Sequence, residues 1–82
     1  MPYIKQEDRS PMDLVVDNMI SYGVKPDGKL NYVLYKFCKK SIEPSYNNYK
    51  NYLGELTECC EEIRRRLLGP YENTKINENG DV

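Results

Sequence analysis

The chain contains no histidine, no tryptophan and a single phenylalanine. Without histidine it lacks the side chain whose charge changes near neutral pH and the commonest zinc ligand. Cysteine is scarce and badly placed for covalent bracing. Cys38, Cys59 and Cys60 are odd in number, and an adjacent pair has poor geometry for a mutual disulfide. No CxxC pair occurs, so no metal site is expected. No secretory leader and no apolar run of about 18 residues are present, which points to a soluble, cytoplasmic chain with no membrane partner. Carboxylates are plentiful, but none is placed to be held against an apolar wall, and no histidine stands ready to work with them. The residues therefore read as a non-enzyme without a cofactor.

Charge of one sign is also missing. Twelve basic residues face thirteen acidic ones, for a net charge of −1. That balance argues against the broad electrostatic footprint of a general nucleic-acid binder. The charges are unevenly spread all the same. Lys36, Lys39 and Lys40 gather near the end of one segment, Arg64, Arg65 and Arg66 near the end of another, and Glu55, Glu58, Glu61 and Glu62 lie between. A solvated helix surface is the simplest account of each cluster. Duplex or single-strand binding through the lysine patch is the other.

Eighty-two residues make one small domain. Leu, Ile, Val and Phe together number 18, just enough to lift the chain above the composition of a disordered protein. Domains of this size bury a modest share of their surface and are commonly braced by disulfides, metals or partner subunits. The first two are excluded by composition, which leaves self-association.

The pattern along the chain is helical throughout. Residues 1–9 are polar apart from Tyr3 and Ile4 and read as an extended arm. Ser10-Pro11 has the form of a helix start, with Ser as cap, Pro in the first turn and Asp13 close behind. Met12, Val15, Val16, Met19 and Ile20 then make one apolar face, and Gly23 ends the helix. Lys25-Pro26-Asp27-Gly28 is a turn by composition. A second helix is expected over residues 29–41, with Leu30, Val33, Leu34, Phe37 and Cys38 on its apolar face. Pro44 closes that segment, and Ser45 caps a third helix.

The third helix carries the clearest signal in the chain. Tyr46, Tyr49, Leu53, Leu56, Cys60, Ile63 and Leu67 recur at alternating spacings of three and four residues, the rhythm of a helix that packs along its length. Glu61 with Arg65, and Glu62 with Arg66, form i, i+4 pairs in the favourable order. Gly54 inside the helix implies either a close helix crossing or a kink. Gly69-Pro70 is expected to stop it, leaving residues 70–82 as a C-terminal arm. The expected fold is all-α: a three-helix antiparallel bundle over residues 10–69 with one long C-terminal helix and extended arms at both ends, assembled as a homo-oligomer.

Eight tyrosines are the compositional excess. Tyr joins an apolar ring to a polar tip and so suits interfaces and base stacking. Tyr46 and Tyr49 belong to the seam, and Tyr32 and Tyr35 border the face of the second helix, so packing accounts for them. Tyr3 and Tyr71 fall outside the expected helices, each next to a proline and near charge, and are candidates for contact with a ligand or partner. Arginine suits planar, two-pronged recognition of phosphate or carboxylate. Capping of the helix end and pairing with Glu61 and Glu62 is the simpler role for Arg64, Arg65 and Arg66. Cys60 lies in the seam and Cys59 beside it among carboxylates, an environment that disfavours a reactive thiolate.

Residues spread over the whole chain give it a family likeness. They are MPYIKQ at the start, Gly28 with Leu30-Asn31-Tyr32, Ser45-Tyr46, Arg65-Arg66, Pro70-Tyr71-Glu72, Lys75, and Asn79-Gly80-Asp81-Val82 at the end. In this combination the chain resembles a family of small uncharacterised proteins found largely in phages and prophages. Ile63-Arg64 stands here where relatives are expected to carry an aromatic residue. The resemblance implies no reaction. Its setting implies a class: small oligomeric helical proteins that sequester nucleotide immune signals in the host cytoplasm and so counter host defence. On that analogy Lys5, Arg65, Arg66 and Lys75 would contact phosphates, Tyr3 and Tyr71 would stack on bases, and Glu72 would lie in the same site. The alternative is a protein-interaction module whose long amphipathic helix binds a host or phage protein.

Overall fold

A computed structural model describes residues 2–82. Met1, the first residue of the expected N-terminal arm, lies outside them. Among the described residues all regular structure is helical and no strand occurs. There are three helices, the last of them a continuous 34-residue C-terminal rod. The chain divides into two units, residues 3–50 and residues 51–82.

In the first unit α1 spans Gln6–Ser21 and α2 spans Gly28–Ser41. The start of α1 differs from expectation. Residues 6–9 are helical rather than extended, and Pro11 lies inside the helix. Glu7 and Asp8 in the first turn favour the positive end of the helix dipole. The Asp8 N–H bonds the Lys5 carbonyl at 3.0 Å, and Arg9 Nε donates to the Ile4 carbonyl at 3.0 Å. Together these hold one more turn ahead of Ser10-Pro11. Pro11 deprives the helix of a single backbone bond near its beginning, where water can satisfy the freed carbonyl.

The end of α1 follows the sequence closely. Gly23 takes a left-handed φ of 75°, its N–H reaches the Ile20 carbonyl at 3.0 Å, and Val24 N–H reaches the Met19 carbonyl at 3.0 Å. This is the Schellman pattern, in which a left-handed residue folds the chain back over the last free carbonyls. Asp27 then caps α2, its side chain accepting from Lys29 N–H at 2.8 Å. Lys39 and Lys40 sit in the last turn, where the dipole favours cations.

The long helix opens on Ser45 as expected. Ser45 Oγ accepts from Asn48 N–H at 3.0 Å, and Asn48 Nδ2 donates back to the Glu43 carbonyl at 2.9 Å. From there α3 (Tyr46–Ile63) runs past Gly54 without a break, and nothing lies within 4 Å of the position a Gly54 Cβ would take.

The second unit holds the largest departure from expectation. The helix does not stop at Gly69-Pro70. It passes through a π-helical turn, Arg64–Leu68, and continues as α4, Gly69–Asn79. A proline inside an α-helix lacks the N–H for the i−4 carbonyl, and its ring collides with that carbonyl. A π turn closes its bonds five residues back and is wider. Gly69 N–H bonds the Arg64 carbonyl in this register, and Pro70 falls at the start of the next α-helical stretch, where its missing N–H does least harm. A Cβ on Gly69 would stand 3.2 Å from the Arg64 oxygen, so glycine suits this position. The expected C-terminal arm is thus helical to Asn79, and Gly80 ends it with a φ of 87°.

What a single copy does not form is an enclosed core. No described residue is buried. Met19, Val24, Leu30, Val33, Leu34, Cys38, Tyr52 and Leu56 are half-buried. On the seam, Leu53 is 61% exposed and Leu67 67%, while Ile20 on α1 is 70% exposed.

Two substitutions test this local account by thermal unfolding followed by circular dichroism. Ser45→Ala removes the cap and should cost about 1 kcal/mol. Gly54→Ala meets open space and should stabilise by up to about 1 kcal/mol, while Gly69→Ala, pressed against the Arg64 carbonyl, should gain less.

Candidate functional site

The expected site residues fall in two places. Tyr3 and Lys5 belong to the unit of residues 3–50, and Arg65, Arg66, Tyr71, Glu72 and Lys75 to that of residues 51–82. Each place is described on its own.

At the N-terminus Lys5 occupies the cap position of α1 without a side-chain capping bond. Tyr3 is 44% exposed and engaged in a contact of its own. Tyr3 stands apart from helix α1 as expected, whereas the turn that follows Lys5 is helical.

At the basic end of the long helix the π turn carries Arg64, Arg65 and Arg66 in succession. Arg65 grips Glu62 with two prongs, Nε to Oε1 at 3.2 Å and Nη2 to Oε2 at 2.9 Å. The expected Glu61–Arg65 pair is therefore replaced by Glu62–Arg65, whose fork geometry satisfies both carboxylate oxygens at once. Arg66 is also engaged. Arg64 is exposed, and its side chain makes no hydrogen bond or ion pair among the described residues.

One turn further on, Lys75 Nζ stands 5.7 Å from the centroid of the Tyr71 ring and 3.1 Å from Glu78 Oε2. The helix that replaces the expected arm is what sets this i, i+4 pair of ring and ammonium. Tyr71 remains 59% exposed, so one face of a ring already carrying a cation is open to a partner. Glu72 lies in the first turn of α4.

The structure thus brings Tyr71, Lys75 and Glu78 together, and Glu62 with Arg65. It does not bring Arg65 to Tyr71. Six residues apart on one helix, they are separated by about 9 Å of rise and stand on different sides. Glu78 was missing from the expected set, although its i+3 spacing from Lys75 is readable once the segment is known to be helical. For Arg64 capping and pairing with Glu61 and Glu62 is the simpler expectation, and the absence of an ion pair on its side chain is a fact of geometry that spacing does not carry.

Lys50 and Lys36 repeat the cation-over-ring arrangement, at 5.7 Å from the Tyr46 ring and 5.8 Å from the Tyr32 ring. Lysine stacked on tyrosine one turn away is therefore a habit of all the longer helical stretches after Gly28, and not peculiar to Tyr71.

Among the described residues no group of three or more His, Cys, Asp or Glu side chains is gathered to hold a metal ion. No helix among them is long and apolar enough to cross a membrane. Cys59 and Cys60 are exposed free thiols, and Cys38 is a half-buried one.

No curated protein and no solved structure matches the chain. A family match does exist, and it covers residues 1–82. The all-helical chain with its basic π turn belongs to the family described as Domain of unknown function (DUF6899).

Proposed function

We propose that this chain is a non-enzymatic binding protein that completes its hydrophobic core by self-association and, so assembled, holds a small anionic nucleotide near the basic end of its long helix. The observation that carries the first half is the missing core. No described residue is buried, while Leu53, Ile63 and Leu67 stand 49% to 67% exposed on one helix.

The second half rests on the side chains available and on the resemblance to phage and prophage proteins. The Arg64 side chain makes no ion pair among the described residues, and Arg65 and Lys75 each take part in an i, i+3 pair at the helix surface. Such pairs contribute between nothing and about 1 kcal/mol, so an incoming phosphate displaces them at little cost. Tyr71 offers a ring for a base. In this reading the protein counters host defence by withholding a nucleotide signal.

Mass in solution by sedimentation tests the assembly, with the melting temperature rising as protein concentration rises. Titration with cyclic nucleotides and ADP-ribose derivatives tests the ligand. The expected result is binding tighter than about 10 μM, corresponding to about −7 kcal/mol. Tyr71→Ala and Arg66→Ala should each weaken it at least tenfold, about 1.4 kcal/mol, with the helical signal unchanged. A monomer that ignores every nucleotide but captures one defined host or phage protein through the seam would favour the interaction-module reading instead.

A further inference from the structure

Helix α2 separates its chemistry into two sides. Its apolar residues Leu30, Val33, Leu34 and Cys38 are half-buried. Lys29, Tyr32, Lys36, Lys39 and Lys40 fall within a second sector about 100° wide, at about 100° per residue. The helix contains four lysines and no aspartate or glutamate. None of the four makes a side-chain hydrogen bond or ion pair among the described residues. An ammonium without a carboxylate partner is costly to bury, so this side of α2 keeps to water.

Two rings accompany the lysines. Tyr32 lies among them at 62% exposure, and Tyr35 borders them at 66%. Lys36 Nζ stands 5.8 Å from the centroid of the Tyr32 ring, which ties that ring to the cationic side of the helix. The net charge of −1 excludes a chain that is basic all over. It does not exclude a basic strip, because the acids are concentrated on other elements: Glu7, Asp8, Asp13 and Asp17 on α1, and Glu55, Glu58, Glu61 and Glu62 on α3.

The arrangement narrows the occupant. Lys29 and Lys40 are about 16 Å apart along the axis at 1.5 Å per residue, so a matching partner repeats its negative charge over that length. A mononucleotide gathers its phosphates at one point, whereas a nucleic-acid strand repeats them about every 3.4 Å. The rings favour a strand whose base faces are free, since a duplex hides them in its stack. An anionic membrane matches less well, because a helix lying on lipid inserts its apolar side, and that of α2 is half-buried. An acidic protein offers carboxylates but no repeating planar face for Tyr32 and Tyr35.

We infer that Lys29, Tyr32, Lys36, Lys39 and Lys40 form a binding face for a single-stranded nucleic acid, with the ammoniums on phosphates and the Tyr32 ring on a base. This face is distinct from the nucleotide site proposed above and does not depend on it.

Fluorescence anisotropy with a labelled single strand of about 20 nucleotides, as DNA and as RNA, tests this between about 25 and 150 mM salt. Four phosphate contacts should give a slope of log K against log salt of about −3, at about −0.7 per contact. Lys36→Gln with Lys40→Gln should weaken binding at least tenfold at the lowest salt and halve the slope. Tyr32→Leu should weaken it at least threefold with the slope unchanged. Lys36→Arg with Lys40→Arg keeps both charges and should stay within about twofold, with circular dichroism showing the same helix in every variant. No binding of either strand at the lowest salt, or an unaltered slope in the glutamine variant, overturns the inference. Tighter binding of the duplex overturns it too, as does equal displacement by polyglutamate or by phosphatidylserine vesicles. Arg66→Ala should leave strand binding within about twofold. Loss of strand binding in that chain instead moves the contact to the long helix and overturns the α2 face. A chain that binds the strand through α2 and ignores every cyclic nucleotide supports this inference while removing the nucleotide reading.

Discussion

One constraint governs this molecule: its apolar residues are distributed over long helical faces, and no described residue is buried. A helix gains stability in water chiefly from the apolar face it buries. Here Leu53, Ile63, Leu67 and Ile20 remain about half exposed or more. Local devices hold the helices themselves together. The Asp27 and Ser45 caps, the left-handed Gly23 and the lysine–tyrosine stacks each contribute on the order of 1 kcal/mol or less. Such terms shape helices, but they do not replace a core. The proposed self-association would supply the hydrophobic contribution that these local terms do not.

The π turn is the second organising feature, and it follows from covalent structure. Pro70 cannot sit in the interior of an uninterrupted α-helix without losing a bond and meeting a carbonyl. Widening the turn ahead of it keeps the rod continuous and places three arginines on the widened segment. It also rotates everything after Leu68 relative to the heptad rhythm before it. The seam from Tyr46 to Ile63 is regular, whereas Leu67 and Tyr71 are carried past a shift of phase. The chemistry proposed for this end of the molecule therefore sits where the packing pattern is broken, a place in which π turns are often found at functional sites.

Much of the fold was legible in the sequence because it depends on signals with local causes. Gly23 and Ser45 mark helix ends and the structure uses both in that way, while Asp27, read only as part of a turn, also caps α2. The helix boundaries that differed have a common origin. Ser10-Pro11 and Gly69-Pro70 both read as boundaries, yet both lie within helix, because neighbouring interactions outweigh one lost backbone bond. At Pro11 these are the first-turn acids and Arg9. At Pro70 the π register is responsible, and no propensity or spacing announces a register change. The site was less legible for the same reason. Tyr71 and Lys75 meet because their segment is helical, and Arg65 chooses Glu62 over Glu61 through fork geometry that sequence spacing does not encode.

The charges on the long helix connect architecture to binding. Arg65 and Lys75 are tied to Glu62 and Glu78 by exposed pairs, which hold a side chain in place without committing it. A helix C-terminus with its carbonyls free would repel an anion, but here the helix continues past the arginines through the eleven residues of α4. That continuation removes the unfavourable dipole end from the arginine cluster, so the arginines act without opposition from the backbone. For the proposed nucleotide phosphate the physical requirement is a surplus of positive charge beside an apolar seam. Arg64, exposed and unmatched within its own chain, is where that surplus is greatest.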